Sequence, residues 1–226
     1  MNFSFFANGQ LRPVSGRFAL AMLICLLSAV AVSFYGMEMP EDWFLENILV
    51  GVFLIALVST WRSNGLSYLS YWLLLVFFCF HEYGAHFKYA DVPLGEWLKP
   101  FFQTTRNHYD RVIHFAFGLL CTWPLAELVR SFSGVGGRWW PAFVAMLTNL
   151  SFSALYEMME FSVAQLVAPE IGLEFVGAQG DVWDAEKDMA LALLGAIPPL
   201  LLWVLTQRQE EVMGSSAGFS RPSKSA

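Results

Sequence analysis

The chain has 226 residues, 56% of them hydrophobic and only 14% charged, and its formal net charge is −6. Soluble domains carry about 25% charged residues, so this composition excludes an ordinary water-soluble globule. The acidic balance sets nucleic acid aside as a partner.

Residues 1–16 form a short polar lead carrying Arg12. The first apolar run extends from about Arg17 to Tyr35. Its basic flank and Ala29-Val30-Ala31 also fit a signal peptide. The run is longer than an h-region of about 7–15 residues, so a retained helix is the preferred reading. The acidic loop EMPED, Glu38 to Asp42, leads to a second run from Trp43 to Trp61, with Trp at both ends where an aromatic belt would sit. The basic turn WRSNG precedes a third run, Leu66 to Phe87, and residues 88–108 read as a loop. The fourth run is Tyr109 to Val129, the turn SFSGVGGR follows, and the fifth is Trp139 to Val167. A second long loop, 168–183, leads to the sixth, Asp184 to Thr206.

A bilayer-spanning helix needs about 20 predominantly apolar residues. Six such runs predict an all-α, polytopic membrane helix bundle over 17–206, with a disordered cytoplasmic tail over 207–226. No internal repeat is visible. Cys25, Cys79 and Cys121 fall inside apolar runs without CxxC spacing and read as buried, unpaired thiols.

Lys and Arg set the orientation. With the N-terminus inside, the inner segments hold Arg12, Arg17, Arg62, Arg130, Arg138, Arg208, Arg221 and Lys224; the outer ones hold Lys88, Lys99, Arg106, Arg111 and Lys187. The bias puts both termini in the cytoplasm and both long loops outside.

That orientation brings the ionisable groups of four helices to one leaflet. Span three ends in HEYGAH, with His81, Glu82 and His86; span four begins YDRVIH, with Asp110, Arg111 and His114. Span five carries YEMMEF, with Tyr156, Glu157 and Glu160; span six begins GDVWDAEKD, with Asp181, Asp184, Glu186, Lys187 and Asp188. Residues three and four apart share a helix face. Asp110 and His114, Glu157 and Glu160, and Asp184 and Asp188 are each spaced so. Charge at mid-membrane costs about 2.5–3.5 kcal/mol on insertion scales. These groups are therefore expected to face one another in a polar pocket opening outward. For His81, Glu82, His86, His108, Glu186 and Lys187, residence in the headgroup region is an equal reading. Arg111 with Asp110 or Asp184 also fits a structural ion pair.

Oxygen and imidazole donors without thiolates suit Zn, Mn, Fe, Mg or Ca. The candidate metal ligands are His81, Glu82, His86, His114, Glu160, Asp181 and Asp184. His81 and His86, five apart, share a face only if the helix ends between them, which Gly84 would permit. The candidate catalytic set is Asp110, Arg111, His114, Glu157, Glu160, Asp184 and Asp188. A metal-free alternative uses a carboxylate pair and His114 as general acid and base, with Arg111 holding an anion such as phosphate.

The stretches YGAHFKYADVPLGEWL, RNHYDRVIHFAFG, YEMMEF and GAQGDVWDAEKDMALALLGA resemble the YjdF-type family of bacterial inner-membrane proteins. A more distant resemblance is to VanZ-like membrane proteins. Asp110, Arg111, His114 and Phe115 match that family's first motif, Glu157 and Glu160 its second, and Asp184, Asp188, Gly195 and Ala196 its third. Asp188 stands where Asn is usual. The resemblance implies an envelope context. Three functional readings follow: an enzyme acting on an envelope lipid or lipid-linked phosphate, an ion or small-molecule transporter, and a structural subunit.

Overall fold

The computed structural model describes residues 6–7, 10–11, 14–37, 39–135, 137–166 and 179–219. Seven helices make up the described fold: α1 Gly16–Phe34, α2 Pro40–Thr60, α3 Tyr68–His86, α4 Pro93–Phe102, α5 Tyr109–Ser133, α6 Trp139–Leu166 and α7 Asp184–Phe219. Before them lies a two-residue antiparallel ladder between Phe6–Ala7 and Gln10–Leu11.

Each start follows local chemistry. Ser15 caps α1 by accepting from the Phe18 amide at 3.3 Å, and Ser67 caps α3 by accepting from the Ser70 amide at 3.2 Å. Proline opens α2 and α4, where its missing N–H costs nothing.

α5 is the hub. It packs on α3, α6 and most extensively on α7, while α1 and α2 lean on α3. Large apolar side chains remain exposed around the periphery, among them Ile24, Val52, Ile55, Phe161 and Leu201. In water such a surface would aggregate; in a bilayer it is the lipid-facing coat. α1, α2, α5, α6 and α7 as far as Gln207 are long and apolar enough to cross a membrane. α3, the third expected span, is 19 residues long and carries His81 and Glu82 on its buried side. Its outward face, with Leu69, Trp72, Val76 and Phe80, is exposed and apolar, and the polar groups turn to the opposite side.

Three local expectations change. The stretch 88–108 is not simply a loop. Pro93 and the residues after it form α4, whose Leu94, Trp97 and Phe101 make an exposed apolar stripe suited to the membrane interface. The backbone of α7 runs on helically to Phe219, where a disordered tail was expected from Gln207. Gln207-Arg208-Gln209-Glu210-Glu211 are good helix formers. All three cysteines are free, but only Cys121 is buried; Cys25 and Cys79 lie on the bundle surface. Most of the second long loop, 167–178, lies outside the described residues, as do Arg12, Arg221 and Lys224.

The end of the bundle away from the polar cluster has one deeply buried acid that the sequence reading passed over. Glu127, 1% exposed, accepts from the Ser67 amide at 2.8 Å, Ser70 Oγ at 2.6 Å and Trp123 Nε1 at 3.0 Å. It ties the N-terminus of α3, where a negative charge is favoured, to α5.

Candidate functional site

α5 begins the site. Asn107, fully buried, holds its start in place. Its Oδ1 accepts from the Tyr109 amide at 3.1 Å, and its Nδ2 donates to the Val92 carbonyl and to Glu96, both at 3.0 Å. Gln179 closes a reciprocal pair with the Asn107 backbone at 2.8 and 3.0 Å. Both long connections are thereby pinned to the first turn of α5.

One turn further in, His114 is the centre of the cluster. Its Nε2 lies 3.2 Å from Glu157 Oε1 and 3.6 Å from Asp110 Oδ1, and its Nδ1 lies 3.2 Å from Ser153 Oγ. The Tyr156 ring meets it edge-on at 5.9 Å. Asp188 approaches from α7. One donor atom each from Asp110, His114 and Asp188 fall within 4.8 Å of one another, and among the described residues this is the single such group of three. Asp188 is 1% exposed and its Oδ1 has no hydrogen-bond partner. Glu160, also buried, lies one turn along α6 from Glu157. Several buried carboxylates with one imidazole demand compensation by protons or a cation.

The rim is built of ion pairs. Arg106 meets Asp184 at 2.6 Å, and Arg111 reaches Asp184 at 3.3 Å and also pairs with Asp181. Lys187 lies 2.5 Å from the same Asp181 oxygen. Lys187, the Trp183 amide and Arg111 together hold the Asp181 carboxyl well below the usual range. Burial, then the charges of Arg111 and Arg106, push the His108 imidazole below its ordinary range; its Nδ1 lies 3.4 Å from Arg111.

The expected pocket residues thus divide. Asp110, His114, Glu157 and Asp188 come together as its interior, with Glu160 buried one turn along α6. Arg111, Asp181 and Asp184 are its rim, and Asp184 serves two arginines. Of the expected metal ligands, only His114 enters the group of three. α3 continues unbroken through Gly84 to His86, so HEYGAH points in different directions. His81 Nδ1 meets Tyr89 Oη at 2.6 Å. Glu82 accepts from Ser33, whose hydroxyl accepts from Trp43 Nε1 at 2.6 Å, and His86 Nδ1 meets the Ser33 carbonyl at 2.7 Å. Glu82 and His86 therefore fasten α1 and α2 to α3. Gly84 serves packing instead: a Cβ there would stand 2.6 Å from the Tyr89 ring.

Glu46, Arg106 and Ser153 were missed. Glu46 had the clearest signal, an acid inside an apolar span; it accepts from Tyr156 and so links α2 to α6.

An apolar cavity of about 340 Å³ leads away from this cluster. Asp110, His114, Ser153, Tyr156, His81 and Tyr89 line its polar end, and its walls run along α5 as far as Leu128.

The sequence pattern of a family of predicted membrane proteins, DUF2238, matches residues 18–209. The chain belongs to the DUF2238 family. This DUF2238 chain is 33% identical over 159 residues to the inner membrane protein YjdF of Escherichia coli (strain K12), covering 70% of this chain and 76% of that one. No solved structure matches it. It is a multi-pass protein of the bacterial inner membrane, associated with the bilayer through its apolar helices. Neither match bears on the VanZ-like resemblance, which rests on the quoted motifs alone.

Proposed function

We propose that the protein is an enzyme with six membrane spans, α3 included, and both termini in the cytoplasm. Its pocket opens outward, and it hydrolyses or transfers a phosphate-bearing envelope lipid. The observation that carries this reading is the grouping of Asp110, His114 and Asp188 at the polar end of an apolar cavity. Asp188, a member of that group, has a buried carboxylate oxygen without a hydrogen-bond partner, which fits a divalent cation, and N/O donors suit Zn, Mn, Fe, Mg or Ca.

In hydrolysis, a water oxygen forms a bond to phosphorus and the ester P–O bond breaks. The proton from water passes to Glu157, and the departing alkoxide takes up a proton, returned through His114. In transfer, an acceptor hydroxyl replaces the water. Arg111 and Arg106, on the rim, attract the phosphate; Asp184 positions both guanidinium groups. A proton or ion path is supported less well. It needs polar groups in the other half of the bundle, and Glu127 there is committed to Ser67, Ser70 and Trp123.

The test uses protein purified in mild detergent. Elemental analysis is expected to find a metal that is lost in His114→Ala and Asp188→Asn. An inner-membrane lipid extract is expected to yield a phosphate-bearing product, with Glu157→Gln slower by about 10²- to 10⁴-fold, the usual weight of a general acid–base group. Metal-free wild-type protein that releases nothing from the extract would sink the reading.

A further inference from the structure

The cavity has a shape and a side opening that the catalytic reading leaves unused. Its walls come from four helices. Leu49, Val52 and Ala56 share one face of α2, Phe77 stands on α3, Cys121 on α5 and Phe152 on α6. Between the lining residues Asp110 and Leu128, α5 rises about 27 Å at 1.5 Å per residue. That approaches the roughly 30 Å thickness of a bilayer's hydrocarbon core. The cavity is therefore elongated along the membrane normal, polar at one end and greasy along its length.

α2 and α6 flank one side of it. α2 leans on α3 and touches α6 only sparsely. The residues bordering the gap are open: Val52 is 60% exposed and Phe152 53%. The Tyr156–Glu46 hydrogen bond crosses between the two helices at the polar end. Because α2 and α6 are both long and apolar enough to span the membrane, what lies outside the gap is lipid tails.

We propose that this cavity binds one acyl chain of a membrane glycerophospholipid, which enters sideways from the bilayer between α2 and α6. The proposal rests on the lipid reading above for what happens at the headgroup. A tail gains no hydrophobic transfer energy on leaving the bilayer, since the surroundings are equally apolar. The chain instead fills a void whose walls otherwise lack dispersion partners. Only an amphiphile suits both ends. A tail lies along Val52, Phe77 and Cys121, and its polar head reaches the layer of Asp110, His114 and the arginine rim. The Tyr156–Glu46 bond sits where the head must pass, so it acts as a latch on the opening.

The full chain would be reconstituted in vesicles of phosphatidylethanolamine and phosphatidylglycerol containing a phosphatidylglycerol with a diazirine midway along one acyl chain. After irradiation, cross-links would be mapped by mass spectrometry. Lipid on the outer surface reaches Ile55 and Leu201, which serve as internal controls. Phe77 and Cys121 are buried, 9% and 4% exposed, and line the cavity. Labelling of both is expected, with loss of that labelling, but not of the controls, in Ala56→Trp, which narrows the gap. Labelled controls with unlabelled Phe77 and Cys121 would overturn the proposal, as would interior labelling unchanged in Ala56→Trp. The two readings fail separately. Interior labelling with no product from any lipid defeats the enzyme and leaves the chain site standing. His114-dependent product without interior labelling does the reverse.

Discussion

Gly118 of α5 rests against the Ala192 carbonyl of α7 so closely that a Cβ on Gly118 would stand 2.0 Å from that oxygen. Gly195 returns the contact; its Cβ position lies 2.1 Å from the Phe115 carbonyl. The two helices meet backbone to backbone, as small residues allow in membranes. His114 and Asp188 each sit about one turn before this contact, toward the polar end. The glycines therefore set the depth and register at which α7 delivers Asp188 to the cluster.

Gly118→Ala and Gly195→Ala should each destabilise the protein. In an unconstrained helix, alanine in place of glycine gains about 0.5–1 kcal/mol. Here the new methyl meets backbone that cannot rotate away, and overpacking typically costs about 1–3 kcal/mol. Melting temperature in detergent is expected to fall, and metal content with it. A higher melting temperature would show that the helices are not in close contact.

Asp184 and Asp188 share a helix face, yet their neutral variants should behave oppositely. Asp184→Asn removes the carboxylate that Arg106 and Arg111 share at 2.6 and 3.3 Å. Breaking a buried pair costs about 3–5 kcal/mol, and the low end applies because Asp181 stays with Arg111. Asp188→Asn should abolish metal retention; compared with wild type stripped of metal, where it relieves crowding among carboxylates, its melting temperature should be unchanged or raised. Equal destabilisation by both would contradict the division into rim and interior.

That division also marks what the sequence could show. Apolar runs disclosed the helices, because a lipid-facing surface must be apolar whatever its neighbours are. The spacings of Asp110 with His114 and Glu157 with Glu160 disclosed their shared faces, since the period of a helix is local. Pairing is not local. Glu46 meets Tyr156 from a helix 110 residues away in sequence, and Arg106 reaches Asp184 only because Asn107 pins the loop. His81 and His86 share a face only if the helix ends at Gly84; α3 instead runs on through it, and the missing side chain of Gly84 seats Tyr89.

Glu127→Leu should separate stability from function. Three donors, two of them buried, lose their acceptor. A single unsatisfied buried group costs about 1–3 kcal/mol, so a loss of about 3 kcal/mol or more is expected. Metal content and lipid labelling should persist at temperatures where the variant remains folded. Loss of metal in the folded variant would tie Glu127 to the site and revive an ion path through the bundle.

The orientation has its own measurement. Ser133, at the end of α5, and Gln103, at the end of α4, are both exposed and lie at opposite ends of the bundle. In intact spheroplasts, a membrane-impermeant maleimide is expected to label Gln103→Cys but not Ser133→Cys in a background free of native cysteines. Labelling of Ser133→Cys alone would turn the pocket toward the cytoplasm.

Asp181 predicts how the rim responds to acid. Its carboxyl is held below the ordinary range by Lys187, the Trp183 amide and Arg111, while in the unfolded chain it titrates near the reference value of about 3.9. A depressed folded value means that the folded form binds fewer protons. The stabilisation is fully present above about pH 4 and is lost as pH falls from there through the folded value. The segment 179–183 should therefore resist protease nicking at neutral pH and loosen only in stronger acid, when Asp181 releases Arg111 and Lys187. Asp181→Asn cannot carry the charge at any pH, so the segment should be cut more readily already at pH 7, with a flatter acid profile. The measurement is nicking rate against pH for wild type and variant, using an acid-tolerant protease below pH 4. Superimposable profiles would mean that Asp181 does not hold the rim, and that Arg111 is positioned by Asp184 alone.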